Sequence, residues 1–209
     1  MKKFFRNTPA RTFNICLIVI ALSACGGANV KVPGVFPIPI VEKLPIKVGL
    51  YIEPTLREFN YSEKIKGYGQ WSIELGPSQE DMFLALTEGM FSQTEILSGL
   101  TEKETNGLDA ILTPTIIAIQ FSIPKQTRTD FFEVWIKYRI TLQKPSGEVI
   151  GEWDLPSYGT ANKKNYGNLQ GNNPALQKAA LNACRDAMAF FITQFHTVPG
   201  IKSWLLSEK

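Results

Sequence analysis

The side chains best suited to nucleophilic or metal chemistry are scarce in this chain. The sequence has one histidine, His196, and three cysteines, Cys16, Cys25 and Cys184. A zinc site needs several such ligands at short spacing, and the sequence offers no such cluster. His196 and Cys184 fall on one predicted helix, about 18 Å apart along its axis, so they cannot form a Cys–His dyad. We therefore expect no metal site and no cofactor, and Cys184 is interpreted as a small buried side chain.

Sequence signatures of common enzyme classes are also missing. The sequence has no G-x-S-x-G motif, and its carboxylates are scattered. The stretch GYGQWS at 67–72 does not match the glycine fingerprint of dinucleotide-binding folds and opens no predicted helix. We expect a protein that is not an enzyme.

The N-terminal residues have the organisation of a secretory signal peptide. Lys2, Lys3, Arg6 and Arg11 precede a short apolar run at 13–22, and no acidic residue lies before Cys25. A membrane-spanning helix needs roughly 20 apolar residues, about twice the length of this run. The pattern therefore predicts a cleaved leader over 1–24.

The end of this leader resembles the lipobox of bacterial lipoproteins. Leu22, Ser23 and Ala24 are the predicted signal-peptidase recognition residues, and Cys25 is the predicted lipid attachment site. The resemblance implies cleavage before Cys25, diacylation of its sulfur and acylation of the new amino terminus. Gly26, rather than aspartate, follows the cysteine, which implies an outer-membrane location facing the periplasm. The alternative is an ordinary signal peptide cut nearby.

The charge balance argues against a nucleic-acid partner. Four of the 22 basic residues lie in the leader, so the chain from Cys25 onward has 22 less 4, or 18, basic residues against 19 acidic residues. Nucleic-acid-binding proteins present a basic patch, and this composition does not predict one. Cys184 is the one thiol left after removal of the leader and acylation of Cys25, so no intrachain disulfide is expected.

The changes in composition along the chain predict three regions. Residues 1–24 form the signal peptide, 25–45 a lipid-anchored extended tether, and 46–209 a single periplasmic α+β domain. The tether prediction rests on four prolines between positions 33 and 45, because proline fixes φ and removes a backbone donor. The alternative is that Val35, Ile38, Ile40 and Val41 pack on the domain as an edge strand.

Hydrophobic periodicity predicts a mostly antiparallel sheet with two main helices on one of its faces. Strands are predicted around 46–53, 70–75, 94–97, 109–124, 131–143 and 148–155. One helix is predicted from a cap at Ser78 through about Phe91, and a longer one from Asn173-Pro174 to Pro199. Pro114 predicts a bulge or a strand end. A loop is expected at 157–173.

Two registers are possible for the hairpin around KPSG at 144–147. A four-residue loop pairs Arg139 with Glu152 and Lys137 with Asp154. Opposite charges then face each other on the outer side, and the core-face residues are paired with one another. A three-residue loop with Gly147 in the left-handed region has better turn chemistry, but it would place both acidic residues on the apolar face. Because buried charge is costly, the first register is predicted.

Exposed aromatic and basic side chains are the candidate partner-binding residues. Trp135, Lys137 and Arg139 alternate with the apolar face of 131–143, and Trp and Arg are frequent at binding hot spots. Tyr158 is a candidate in the following loop. Trp204 either docks on the core or contacts a partner.

The order of elements resembles that of small outer-membrane lipoproteins, namely the LptE and YajG types, and shares parts with the PelC and CsgG secretion lipoproteins. That resemblance implies a lipid-anchored accessory or scaffold subunit of an envelope assembly or export system, with a membrane anchor, a protein partner and no nucleic acid. The alternatives are a ring-forming secretion lipoprotein, which would be a homo-oligomer, and a periplasmic binder of glycan or lipid.

Overall fold

The computed structural model describes residues 27–167 and 171–207. The predicted signal peptide and Cys25 lie outside the described residues. A large sheet has the strand order β5-β2-β6-β7-β8, and a small sheet has the order β1-β4-β3. The strands are β1 (Gly27–Lys31), β2 (Leu44–Tyr51), β3 (Asn60–Ile65), β4 (Gly69–Glu74), β5 (Phe91–Leu97), β6 (Ala110–Ser122), β7 (Phe131–Gln143) and β8 (Val149–Asn162).

Helices separate or follow these strands. The helices are α1 (Pro54–Arg57), α2 (Gly76–Met90), α3 (Glu102–Thr105), α4 (Pro124–Thr127), α5 (Asn173–Gln194) and α6 (Pro199–Ser207). Strands and helices are not joined into repeated βαβ units, so the predicted α+β class is confirmed. Both sheets are mixed: β2 runs parallel to β5 and β6, and β1 runs parallel to β4. The longest ladders, β6 with β7 and β7 with β8, are antiparallel.

The core lies between one face of the large sheet and a layer formed by α2, α5 and the small sheet. Strand β7 sends alternate apolar side chains, from Phe132 to Leu142, into this core. The helix α5 contributes a stripe that includes Cys184, Met188 and Phe191, as the spacing predicted. Trp71 of the small sheet packs against Phe132, with the ring centroids 5.9 Å apart.

The first described part of the segment predicted as a tether is packed on the domain. Gly27–Lys31 forms β1, pairs with β4 and buries Ala28 and Val30. The edge strand therefore exists, but it lies upstream of the four hydrophobic residues proposed for it. Val35, Ile38, Ile40 and Val41 are all exposed. The prolines on which the tether prediction rests begin only after β1 has ended.

The proline-containing segment 33–43 lies over α2 and α5. A Cβ added to Gly34 would meet the Asp81 carboxylate, and one added to Gly89 would meet the ring of Pro39. The segment thus follows α2 from its second turn to its C-terminal end. A groove of about 560 Å³ separates part of the segment from α5.

The β7–β8 hairpin combines features of both predicted registers. The three-residue loop is present, with φ of +88° at Gly147 and a bond of 2.8 Å from the Lys144 N–H to the Glu148 carbonyl. A β-bulge between Val149 and Gly151 then shifts the register by one further residue. The predicted direct pairs are therefore wrong, since Arg139 faces Asp154. The predicted faces are nevertheless retained, because the extra residue returns both acidic side chains to the outer face.

Strand β8 is longer than predicted, and the loop expected at 157–173 begins later. Residues up to Asn162 pair with β7. The prediction failed because Gly159 and the polar residues around it suggested a turn, whereas the glycine sits where a helix backbone approaches the strand. Beyond β8, a short 3₁₀ turn covers Lys163–Tyr166.

The structure also differs from the predictions made at Pro199, Ser78 and Pro114. Pro199 follows α5 and is the first residue of α6, so the C-terminal residues form a helix rather than trailing off. Helix α2 begins at Gly76, and Ser78 lies inside it, donating to the Leu75 carbonyl. Pro114 lies inside a continuous β6, beyond the last β2 pair at Leu112.

Candidate functional site

The outer face of the large sheet is covered on one half and open on the other. Around β5, β2 and the start of β6, the outer side chains of Leu97, Leu108 and Ile111 form a small buried cluster with Tyr51 beside it. The segment between β5 and β6 supplies this cover. On β6, β7 and β8, the outer side chains are exposed or half-buried. We call this surface the open face.

Trp135 and Tyr158 form the aromatic centre of the open face. They are direct cross-strand partners on β7 and β8, with ring centroids 5.2 Å apart and ring planes inclined by 39°. Each is 40% exposed. The Tyr158 hydroxyl donates to Glu133 at 2.9 Å, and the Ser122 hydroxyl donates to the other oxygen of that carboxylate at 2.8 Å. These bonds hold the tyrosine ring against the tryptophan, so the pair is a preformed apolar contact surface.

The pKa of Tyr158 reflects this arrangement. Partial burial is the first cause that raises it above the ordinary value, and the hydrogen bond to Glu133 and the charge of that carboxylate add to the effect. The phenol therefore remains protonated near neutral pH and acts as a donor. It offers no nucleophile or base.

Beside the aromatic pair lies a network of opposite charges. Lys137 Nζ lies 2.6 Å from Asp154 Oδ2, and Arg139 donates to Asp154 Oδ1 from both Nε, at 3.0 Å, and a terminal nitrogen, at 2.9 Å. Arg139 Nε is also 3.8 Å from Glu152 Oε1. The hydrogen bonds from Lys137 and then from Arg139 lower the pKa of Asp154. Asp154 is therefore ionised at neutral pH, and the network is a binding surface of mixed charge.

A shallow groove runs next to Trp135. It has a volume of about 340 Å³ and lies between Trp135 and Lys137, with Ala118 and Gln120 on one side and Pro156 on the other. A bulge between Ile116 and Ala118 bends β6 at this point and leaves Ile117 exposed. The groove is thus produced by the bulge in one strand and the large side chain on the next.

Helix α5 closes the free edge of β8 next to this surface. Asp186 accepts the backbone N–H of Tyr158 at 2.9 Å, and Asn182 donates to the backbone carbonyl of Thr160 at 2.9 Å. These side chains occupy the backbone groups that another strand would use. A partner at this site would therefore bind the face of the sheet rather than extend it along β8.

Four of the five predicted binding residues lie together on the open face: Trp135, Lys137, Arg139 and Tyr158. Trp204 does not lie with them, because it is on α6, is 6% exposed and belongs to the core. The docked alternative for Trp204 is therefore the one observed. Sequence reasoning missed Pro156 and Ala118; the proline on the outer side of β8 was a usable signal once that strand was extended.

Cys184 and His196 are separated as expected. His196 is exposed in the 3₁₀ turn Phe195–Thr197 and lines an apolar groove of about 350 Å³, together with Lys202. Cys184 is fully buried with Gln79 and Tyr138. The Tyr138 hydroxyl donates to Gln79 Oε1 at 2.9 Å, and Gln79 Nε2 lies 3.7 Å from the Cys184 sulfur. Burial is the main cause that raises the pKa of Cys184 from 9.0 to about 11.

The burial of Cys184 predicts a loss of stability at alkaline pH. Between pH 9 and about 11 the folded state binds more protons than the unfolded state, because the pKa of the thiol is higher in the folded state. The contribution of the protonated thiol to stability is therefore fully present below pH 9. The free energy of unfolding falls by up to about 3 kcal/mol as the pH rises to 11. Urea unfolding at several pH values should show this decline, and Cys184→Ala should have a smaller slope. Rapid reaction of the folded protein with a thiol reagent at pH 8 would contradict the prediction.

Two further observations concern membranes and metals. In residues 27–167 and 171–207, no helix combines the length and the hydropathy required to cross a bilayer. The same residues contain no group of three or more histidine, cysteine, aspartate or glutamate side chains placed to hold a metal ion.

Several solved structures of bacterial proteins are similar to this chain. A Xanthomonas campestris protein of the DUF330 family is 10% identical, with a TM-score of 0.52 over 89% of this chain and 100% of that chain. A minor lipoprotein from Acinetobacter baumannii is 14% identical, with a TM-score of 0.37 over 77% and 97%. A Caulobacter crescentus protein provisionally described as a lipoprotein is 10% identical, with a TM-score of 0.40 over 63% and 83%. The first of these likenesses shows the fold alone.

Sequence comparisons give no further relative. No family model matches the chain, and no curated protein matches it.

Proposed function

We propose that this chain is a non-enzymatic lipoprotein, anchored by acyl chains on Cys25 to the periplasmic side of the outer membrane. It serves as an accessory or scaffold subunit of an envelope assembly or export system and binds a protein partner through the open face. The anchor is supported by the Leu22-Ser23-Ala24-Cys25 motif after a short apolar run. Two or more acyl chains are sufficient for stable membrane attachment.

The observation that carries the binding proposal is the exposed pair of Trp135 and Tyr158 on an uncovered sheet face. Aromatic side chains that are held rigidly, beside an arginine and a groove, are typical of protein-binding hot spots. The charges of Lys137, Arg139 and Asp154 are already paired with each other. A partner would therefore gain most from the aromatic surface and would use the charged side chains as a polar rim.

The anchor is tested by Cys25→Ser. This change removes the thiol that would carry the thioether, so we expect the protein to leave the membrane fraction and appear in the soluble periplasmic fraction. Fractionation and the intact mass of the purified protein measure both effects. Cys184→Ser is the matched control, because that thiol is buried in the core. Persistent membrane attachment of the Cys25→Ser protein would refute the anchor.

The binding face is tested by photo-crosslinking from the groove. A photoreactive amino acid at position 118 should crosslink one envelope protein, whereas the same residue at position 149, in the distant hairpin, should not. Trp135→Ala should weaken the interaction by about 30-fold or more, since hot-spot residues contribute at least about 2 kcal/mol. Val149→Ala is the matched control, because Val149 is an exposed apolar residue at the hairpin end of β8, opposite Gln143 and far along β7 from Trp135.

The outcomes of this experiment separate the alternative functions. Crosslinks to a second copy of the chain, together with a stable homo-oligomer in detergent, would replace the accessory role with the ring-forming role. A lone monomer that retains a glycan or lipid in the groove would replace it with the ligand-binding role. Equal crosslinking from positions 118 and 149 would refute the open face as the binding site.

A further inference from the structure

The start of β1 places the domain much closer to the predicted anchor than a free tether would. Gly27 is already paired with Gln70 of β4, and Cys25 lies only two positions before Gly27. Two extended residues span at most about 7 Å. Whatever the conformation of the intervening peptide units, the thioether sulfur would lie close to the surface around Gly27.

The surface around Gly27 is the turn that joins β3 and β4. Lys64 pairs with Gln70 in the register row that contains Gly27, and Ile65 pairs with Gly69 at the end of the ladder. Residues 66–68 therefore project beyond this row. Because β1 runs parallel to β4, its first residue lies at the same end as the turn.

The side chains of this turn suit a lipid surface. Lys64, Lys66 and Tyr68 are exposed. Within the described part of the chain, neither lysine makes an ion pair. The nearest acidic side chain in sequence, Glu63, accepts a hydrogen bond from Tyr61. Lysine is attracted to anionic headgroups, and tyrosine is favoured at the boundary between headgroups and acyl chains.

The backbone of the turn is well supported, so its side chains are presented in a fixed position. Gly67 and Gly69 have φ of +81° and +82°, which favour glycine. The Tyr68 N–H donates to the Ile65 carbonyl at 2.9 Å, and the Tyr68 carbonyl accepts from the buried indole of Trp71 at 2.7 Å. The turn is thus fastened to the core on the side away from solvent.

We propose that the β3–β4 turn is a membrane-contact site that rests on an anionic bilayer surface, with Lys64 and Lys66 at the phospholipid headgroups and Tyr68 at the interface. This inference rests on the proposed anchor at Cys25. It assigns the orientation of the domain: the turn faces the lipid, and the β7–β8 hairpin points away. Phe132, near the start of β7, packs against Trp71 on the side of the molecule that carries the turn. Gln143, at the hairpin end of β7, lies about 35 Å from Phe132 along the strand.

The test uses the full lipoprotein, purified with its anchor and reconstituted in vesicles of phosphatidylethanolamine and phosphatidylglycerol. Tyr68→Cys carries a fluorophore, and a lipid with a nitroxide on its headgroup quenches it if the turn touches the surface. Val149→Cys is the matched control in the distant hairpin. Cys184 does not compete for the label, because it is buried. We expect strong quenching at position 68 and little at position 149.

The charge requirement is tested in the same vesicles. Lys64→Gln with Lys66→Gln should reduce the ratio of docked to undocked turn by up to about 30-fold, since each lysine near an anionic surface contributes about 1 kcal/mol. Lys144→Gln, in the β7–β8 hairpin, is the matched control and should leave quenching at position 68 unchanged. Equal quenching in all variants would overturn the role of the lysines.

The intact mass distinguishes the two possible failures. Acylated protein with equal quenching at positions 68 and 149 would overturn the membrane-contact site and leave the anchor intact. Protein without acyl chains that the vesicles do not retain would overturn the anchor, and the membrane-contact site with it.

Discussion

Gly159→Ala should destabilise the fold by about 3 kcal/mol or more. A Cβ at this position would lie 2.1 Å from the Ala179 carbonyl oxygen and 2.2 Å from the Ala183 nitrogen, both in the backbone of α5. Backbone atoms in the middle of a long helix cannot move aside independently. The helix would therefore have to separate from β8, which also weakens the bonds from Asn182 and Asp186 to that strand. Urea unfolding measures the change.

Gly99→Ala is the control for Gly159. The added Cβ would lie 3.1 Å from a Glu104 carboxylate oxygen, at the end of a flexible side chain. We expect a change within about 0.5 kcal/mol. Equal effects of the two substitutions would mean that α5 does not pack on Gly159 as described.

Trp71→Ala should cost about 3–5 kcal/mol, which is typical for removal of a buried aromatic side chain. Trp71 is 2% exposed and connects the small sheet to the large one. Its ring lies 6.1 Å from Phe121 and 5.9 Å from Phe132. The substitution also removes the donor to the Tyr68 carbonyl. We expect a lower urea midpoint and loss of the near-ultraviolet circular dichroism signal from this cluster.

Trp135→Ala is the matched substitution on the open face. It removes one aromatic pair, which contributes about 1 kcal/mol, and leaves the core intact. The protein should stay folded and should lose partner binding. A Trp135→Ala protein that unfolds as readily as Trp71→Ala would place Trp135 in the core and would remove the basis of the proposed binding face.

The two-residue periodicity of strands predicted the open face better than the loops around it. Alternation along 131–143 placed Trp135, Lys137 and Arg139 on one side, and the structure has the same alternation. The register of the β7–β8 hairpin depends on a bulge at Ile150. Neither the turn residues nor the distribution of polar and apolar side chains was sufficient alone to predict that bulge. Turn chemistry identified the loop, and the cost of buried charge identified the faces. A register that satisfies both requires one extra residue in β8.

The positions of Tyr158 and β1 could not be derived from local patterns. Tyr158 was expected in a loop because Gly159 follows it, and the reason for that glycine is a helix more than fifteen residues later in the sequence. Strand β1 was missed because five residues that begin with a glycine carry little periodic signal. The end of β8 around Tyr158 and strand β1 are both stabilised by residues far away in the sequence. Local secondary-structure propensity contains no information about such contacts.

The attachment of β1 to α5 has a consequence for the order in which the chain assembles. Gln177 of α5 donates to the carbonyl of Lys31 in β1, so the first described strand is completed by a contact across 146 residues. Contacts of such sequence separation form late, because the loop between them must close first. In a chain that emerges from a translocation pore with its N-terminus first, the side of β1 that contacts α5 would stay uncovered until α5 has also emerged. The N-terminal strand would thus be the first segment delivered, and its contact with the last long helix would be among the last to form.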